Sequence, residues 1–329
     1  METGGIMSGQ PNNDSGTKKQ KPKQKETSSA PGVQKHKETI TAWLMSAPAI
    51  LLLLVFLVIP FVLAIGFSFT DQRLIPNPNV PTSFVGFRNF FRLFTDDTFH
   101  KALFNNFYFT LIVVPIQAAF ALALALLVNL RYKLTNLFRT IYFSPVVITM
   151  VVVSIVWYLL FNPEEGFINR ALNTLTLGAW PDIRWIHSTR WAMPAIMILS
   201  IWQGVGFQMI IFLAGLQDIP NGLYEVCEID GASEWQKFWY VTLPLLRNTT
   251  LFVIISTTIL AFKLFKQVWV MTQGGPQEAT MTTVVMMYRQ GFQRGNIGYS
   301  SGIAVLFFII VLAVSMIQRA AMKEERAVD

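Results

Sequence analysis

Six long stretches of the chain are almost free of charge, and its polar residues gather between them. The stretches are Trp43–Phe67, Phe107–Leu130, Ile141–Phe161, Trp191–Gly215, Leu251–Thr272 and Ser300–Ile317, and none contains Asp or Glu. Each reaches or approaches the roughly 20 residues an α-helix needs to cross a bilayer. In hydrocarbon every backbone polar group must find an internal partner, which a helix provides within one segment. The pattern predicts an all-α, polytopic membrane protein with six transmembrane helices. Composition agrees: 53% of the 329 residues are hydrophobic and 14% charged, against about 25% charged in soluble domains.

The net charge of +7 raises the possibility of a nucleic-acid partner, but its distribution follows membrane topology instead. With the N-terminus in the cytoplasm, segments 1–42, 131–140, 216–250 and 318–329 lie inside and carry 15 Lys and Arg. The outside segments, about equally long in total, carry 9. That is the bias of the positive-inside rule, clearest at Arg131, Lys133 and Arg139. Both termini are therefore expected in the cytoplasm. Residues 1–42, with Lys18, Lys19, Lys21, Lys23 and Lys25 among Ser, Gly, Pro and Gln, read as a disordered basic tail. Two roles stay open for it, a solvated topology-fixing tail or a contact with anionic lipid. Residues 43–318 read as one six-span domain and 319–329 as a second cytoplasmic tail. The first apolar run is long enough to stay as a span, so no cleavable signal peptide is expected.

Several chemistries find no support. The lone Cys227 allows neither an intrachain disulfide nor a paired-cysteine metal site. His36, His100 and His187 are scattered over tail and loops, and the dipeptide Gly-Lys of a phosphate-binding loop is absent. The chain is not expected to be an enzyme or to hydrolyse ATP.

The outside connections near 68–106, 162–190 and 273–299 are rich in Pro, Gly, Asn and aromatic residues, and read as compact ordered loops. Of the inside connections, one is a short turn, and the other carries Leu223–Pro244, LYEVCEIDGASEWQKFWYVTLP. Asn221 is placed to cap a helix whose Leu223, Val226 and Cys227 recur at helical spacing, with Glu225, Glu228 and Asp230 elsewhere. Gly231 permits a sharp turn. Trp235, Phe238, Trp239 and Leu243 then form a second apolar stripe, and Pro244 opens the return to the membrane. Such a knob suits docking to a soluble partner. An interfacial helix resting on lipid is the alternative, disfavoured by the acidic residues of its first half.

The order Glu225-Val-Cys, three residues, Gly231, nine residues, Val241-Thr-Leu243-Pro244 resembles the EAA signature of binding-protein-dependent ABC importer permeases. Val226 and Cys227 stand where that signature has alanines, and Val241 where it has isoleucine. The fuller LYE…IDGAS…TLPLL is similar to the carbohydrate-uptake branch, the maltose and glycerol-phosphate type, and fragments such as Thr272-Gln-Gly-Gly-Pro276 extend the resemblance over about residues 40–320. The resemblance implies a type I importer fold and a bacterial or archaeal cytoplasmic membrane. It implies three kinds of partner besides the bilayer: a second similar permease, two ABC ATPase subunits that bind ATP and Mg, and an extracytoplasmic solute-binding protein. No cofactor is implied for this chain. Glu225, Glu228, Asp230, Gly231, Ala232, Leu243 and Pro244 would then form the part that docks into the ATPase.

Matching the fourth and fifth spans to the maltose-type permease carries sugar-contacting positions onto Ser200, Gln203, Gly204 and Phe207, and onto Thr257, Leu260 and Leu264. Gln203 can hydrogen-bond hydroxyls and Phe207 can stack on a sugar ring, whereas the two leucines are poor sugar ligands and helix packing is their competing role. Lys263 and Lys266 lie in the fifth run, which offers them no acidic partner. Intramembrane charges usually face a bundle interior or a watery cavity. These could attract an anionic solute, such as a uronate oligosaccharide or a glycerol phosphate ester, or snorkel outward or meet a neighbouring subunit. Outside this family, an ion-coupled secondary transporter would call for a coupling carboxylate in a span, and a non-transporting docking scaffold would need no polar passage.

Overall fold

A computed structural model describes residues 31–76, 81–130 and 135–321. It separates into two units, one ending at Val58 and one beginning at Ile59. The first holds helix α1 (Pro31–Leu53) and a π-turn over Leu54–Val58. The expected disordered tail was drawn through residue 42, but residues 31–42 are helical. Residues 33–42 include the good helix formers Gln, Lys and Glu. The rest of the tail, residues 1–30, and residues 322–329 of the C-terminal one lie outside the described residues.

The second unit is built from helices, with two isolated β-bridges, Thr70 to Phe84 and Arg73 to Asn296, among the described residues. Its first segments are α2 (Ile59–Ser68), the short α3 (Arg88–Leu93) and α4 (Asp97–Asn129). The second span starts well before Phe107, because the Asp96 carboxylate caps α4 by accepting from the Thr98 and Phe99 amides at 3.0 and 3.3 Å. Next come α5 (Thr135–Val147), α6 (Met150–Leu160), α7 (Phe167–Leu175) and α8 (Ala192–Gln217). The charged connection contains α9 (Asn221–Ile229), α10 (Glu234–Lys237), a π-turn over Phe238–Thr242, and α11 (Leu243–Leu245). Then follow α12 (Arg247–Phe262), α13 (Lys266–Met271), α14 (Thr283–Tyr288) and α15 (Ile297–Ala321).

Five helical segments among the described residues are long and apolar enough to cross a membrane, and six if the bent pair α5–α6 makes one span. That pair corrects the expectation of a straight third helix: it turns by 97° between Val147 and Met150. Pro145 has no N–H for the Ile141 carbonyl, which the Ser144 hydroxyl takes instead at 2.9 Å. The β-branched Val146-Val147-Ile148-Thr149 then favours extended backbone, and Thr149 adopts φ −62°, ψ 139°.

The fifth span is also interrupted. Lys263 ends α12, Phe265 sits at φ −140°, ψ −60°, and Lys266 opens α13. The carbonyls freed by the break have distant partners: Asn106 Nδ2 donates to Phe262 O at 3.0 Å, and Thr282 Oγ1 to Leu264 O at 2.8 Å. Asn106 is fully buried in α4, where its Oδ1 also accepts from the Thr283 amide at 2.8 Å.

Helices α4, α8 and α12 hold the core together. Ala118, Ala121 and Ala125 form a small-residue stripe on α4, buried in one cluster with Val205, Met209 and Phe212 of α8 and Val253 of α12. Small residues let membrane helices approach closely, where packing rather than water exclusion supplies the attraction. A second cluster gathers Phe109 and Val113 of α4, Ile196 and Leu199 of α8 and Ala261 of α12.

Candidate functional site

Along α4, α8 and α12, polar side chains fall where one apolar cluster gives way to the other. Gln117 lies between Val114 and Ala118, Ser200 between Leu199 and Val205, and Thr257 between Val253 and Ala261. All three are buried and line a cavity of about 760 Å³. The bend at Ile148 and Thr149 and the break at Lys263–Phe265 border the same cavity. Irregular backbone at membrane depth is tolerated where it lines such a space.

The structure brings all nine residues singled out from the fourth and fifth spans to this cavity: Ser200, Gln203, Gly204 and Phe207 from α8, and Thr257, Leu260, Lys263, Leu264 and Lys266 from α12 and α13. Their situations differ. Ser200 donates to Ile196 O at 2.6 Å and accepts from Gln267 Nε2 at 3.2 Å. Thr257 donates to Val253 O at 2.6 Å and accepts from Gln208 Nε2. Both hydroxyls are therefore engaged. Gln203 reaches the Pro145 carbonyl at only 3.5 Å, a weak tie that leaves its amide adaptable. Phe207 and Leu260 are exposed, whereas Leu264 is buried in the apolar core.

A Cβ at Gly204 would come within 2.2 Å of Gln117 Nε2, the far end of a flexible side chain. Lys263 and Lys266 belong not to the interior of one helix, as expected, but to two helix ends flanking a break. Both are exposed, and neither pairs with a carboxylate among the described residues. Sequence reasoning missed Gln117, Gln208 and Gln267, although an amide inside an apolar run is itself a signal. Gln208 is buried, and its Oε1 has no hydrogen-bond partner.

The charged connection folds as the expected two helices about Gly231, which has φ +74°. Pro220 rather than Asn221 holds the N-cap position of α9, and no side chain caps that helix. Ser233 and Gln236 cap α10 reciprocally. The acidic residues are less free than expected, because Lys237 Nζ lies 2.8 Å from both Glu228 Oε1 and Glu234 Oε1. Those two carboxylates, Glu228 first, raise the Lys237 pKa above its ordinary 10.5. The Tyr224 and Thr242 hydroxyls, 2.9 Å apart, add a second tie.

Around these ties the element is open. Glu225, Asp230 and Pro244 are exposed, Ala232 and Leu243 partly so. Val226, Ile229, Trp235 and Trp239 leave much of their apolar surface exposed among the described residues. Glu225 also borders a groove shared with Arg139 and Tyr224.

The other connections are ordered by side chain–backbone bonds. Asn89 donates to the Ser68 and Thr70 carbonyls at 2.9 Å each, and Asn105 to Glu278 O and Met281 O at 3.1 and 2.8 Å. Asp71 accepts from the Ser83 amide and hydroxyl at 2.6 and 2.7 Å, which holds its carboxyl below the usual aspartate value.

This arrangement has relatives. A probable ABC transporter permease protein of Pyrococcus horikoshii is 35% identical over 268 residues, 81% of this chain and 90% of that protein. The sulfoquinovosyl glycerol transport system permease of Agrobacterium fabrum is 32% identical, over 85% of this chain and 89% of its own length. The arabinooligosaccharides transport system permease of Bacillus subtilis is 32% identical over 84% and 86%. A crystal structure of a bacterial ABC transporter involved in the import of the acidic polysaccharide alginate superposes with a TM-score of 0.75 at 22% identity, covering 88% of this chain and 97% of that one. At that identity the match speaks for the fold. The profile of the binding-protein-dependent transport system inner membrane component matches residues 98–323, and the chain belongs to that family of ABC transporter permeases.

Proposed function

We propose that this permease forms one half of the membrane passage of an ATP-driven importer for a carbohydrate, an oligosaccharide or a sugar derivative. The observation that carries the reading is the cavity in which hydroxyls, amides and Phe207 meet at the junction of the two apolar clusters. Amides and hydroxyls match sugar hydroxyls, and an exposed ring offers a face for stacking. The relatives named for sulfoquinovosyl glycerol and arabinooligosaccharides support the same class. Site and irregular helices near mid-membrane suit alternating access between two rocking halves.

In this reading a second, similar permease supplies the other half, and two ABC ATPases, which bind ATP and Mg, grip the 221–244 element on the cytoplasmic side. Both termini share that side. A solute-binding protein delivers from the opposite face. Glu225 and Asp230 offer charge-assisted hydrogen bonds to the ATPase, and the uncovered apolar residues of α9 and α10 fill its cleft. Co-purification with the cognate ATPase and second permease in lipid discs tests this. A stable complex whose ATP hydrolysis is stimulated by the loaded binding protein is expected; no complex with any ATPase would overturn the reading.

A further inference from the structure

We infer that the solute is anionic, an acidic sugar whose carboxylate is held by Lys263 and Lys266. This rests on the importer reading above and names the substrate class of the same cavity. The two lysines flank the break of the fifth span and both line the cavity, and no Asp or Glu among the described residues lines it with them. None of the six apolar runs contains an Asp or Glu that could neutralise them.

The break brings the lysines there, and it is a built feature rather than a fray. Asn106 and Thr282 satisfy its free carbonyls from other helices, so the pair is held at one place in the passage. Both cations stand open to the cavity with no carboxylate beside them among the described residues, and intramembrane charges are kept where they face such a passage; a solute that supplies the counter-charge is favoured there. A further group acts in the same direction. α6, of 11 residues, begins at Met150 on the cavity wall with no side chain capping it, so its first amides carry the positive end of the helix dipole.

The remaining lining favours a sugar acid over a small phosphate ester. Phe207 and Gln203 offer a ring face and an amide for a pyranose. A carboxylate on a sugar uses both parts of the site, cationic and amphipathic, whereas a glycerol phosphate leaves the amphipathic part empty.

The test is equilibrium binding to the full complex of two permeases and two ATPases in lipid discs, trapped with ATP by an ATPase-inactive variant. The binding protein is left out so that its own selectivity does not enter. Trigalacturonate, maltotriose and glycerol 3-phosphate are the probes. Trigalacturonate is expected to bind best, more weakly as salt rises. Lys263→Ala and Lys266→Ala should each weaken it by roughly tenfold, the loss of one charge-assisted contact. Lys263→Arg should keep most of the affinity, and maltotriose binding should be indifferent to all three changes. Maltotriose binding as tight as trigalacturonate, a preference for glycerol 3-phosphate, or lysine variants that bind trigalacturonate like the parent would each overturn the inference. Such a result from a complex that assembles, and whose parent form hydrolyses ATP, leaves the importer reading standing; failure to assemble strikes that reading instead.

Discussion

Asn106 of α4 holds the end of α12, its side-chain amide donating to the Phe262 carbonyl at 3.0 Å, 156 residues away in sequence. The same side chain accepts from the Thr283 amide at 2.8 Å. One buried asparagine thus terminates one helix and starts another.

Asn106→Leu keeps the volume and removes both bonds. Each buried group left unsatisfied costs about 1–3 kcal/mol, so the variant should lose about 2–4 kcal/mol of stability. Thermal unfolding of the purified permease in detergent reads this, with faster hydrogen exchange at Lys263–Phe265 as the local signature. An unchanged melting point would mean the break is held by other contacts.

Two glycines of α8 should respond differently to alanine. A Cβ on Gly206 would lie 2.2 Å from the Tyr142 carbonyl, a backbone atom of α5 that cannot rotate away. A Cβ on Gly204 would meet the far end of the Gln117 side chain, which borders the cavity and has room to move. Gly206→Ala should therefore cost about 1–3 kcal/mol by overpacking, and Gly204→Ala clearly less. Comparing the two melting points checks the order; equal effects would refute it.

At Gly231 the demand is on the backbone rather than on space. Its φ is +74°, yet nothing within 4 Å would meet a Cβ. A left-handed conformation costs a residue with a Cβ about 1–2 kcal/mol, and asparagine least among them. Gly231→Asn should keep most transport in reconstituted vesicles, while Gly231→Val should lose it with membrane insertion intact. Loss in both would mean that the partner needs the empty space as well.

The Asp71–Ser83 contact gives a pH dependence with a definite sign. The aspartate pKa is depressed in the folded protein by the Ser83 amide and hydroxyl. Its stabilisation is therefore full above the ordinary value of 3.8 and disappears as pH falls through the lower folded value. Protection of the Ser83 amide against exchange, corrected for the intrinsic rate, should hold down to about pH 4 and decline below it. In Asp71→Asn that pH dependence should vanish; its persistence would point to another group.

The sequence exposes what depends on local pattern. Long apolar runs mark the spans because burial in lipid needs continuity, and Gly231 marks its turn because few other residues accept that φ. The interruptions are harder to see. Pro145 announces the bend of the third span, but Lys263–Phe265 contains neither glycine nor proline. Its break is stabilised by Asn106 and Thr282, partners brought near only by folding. Lys237 shows the same divide: its pairing with Glu234 follows from helical spacing, whereas Glu228, nine residues back, arrives through the intervening turn.

That second pairing bears on how force crosses the membrane surface. Glu228 and Lys237 stand on opposite sides of Gly231, so the glycine is spanned by a strut and cannot act as a free joint. With Tyr224 and Thr242 bracing the same two arms, a push on α9 displaces α10 with it. In the proposed importer the element would then move as one body, a crank joined to α12, rather than as two hinged arms.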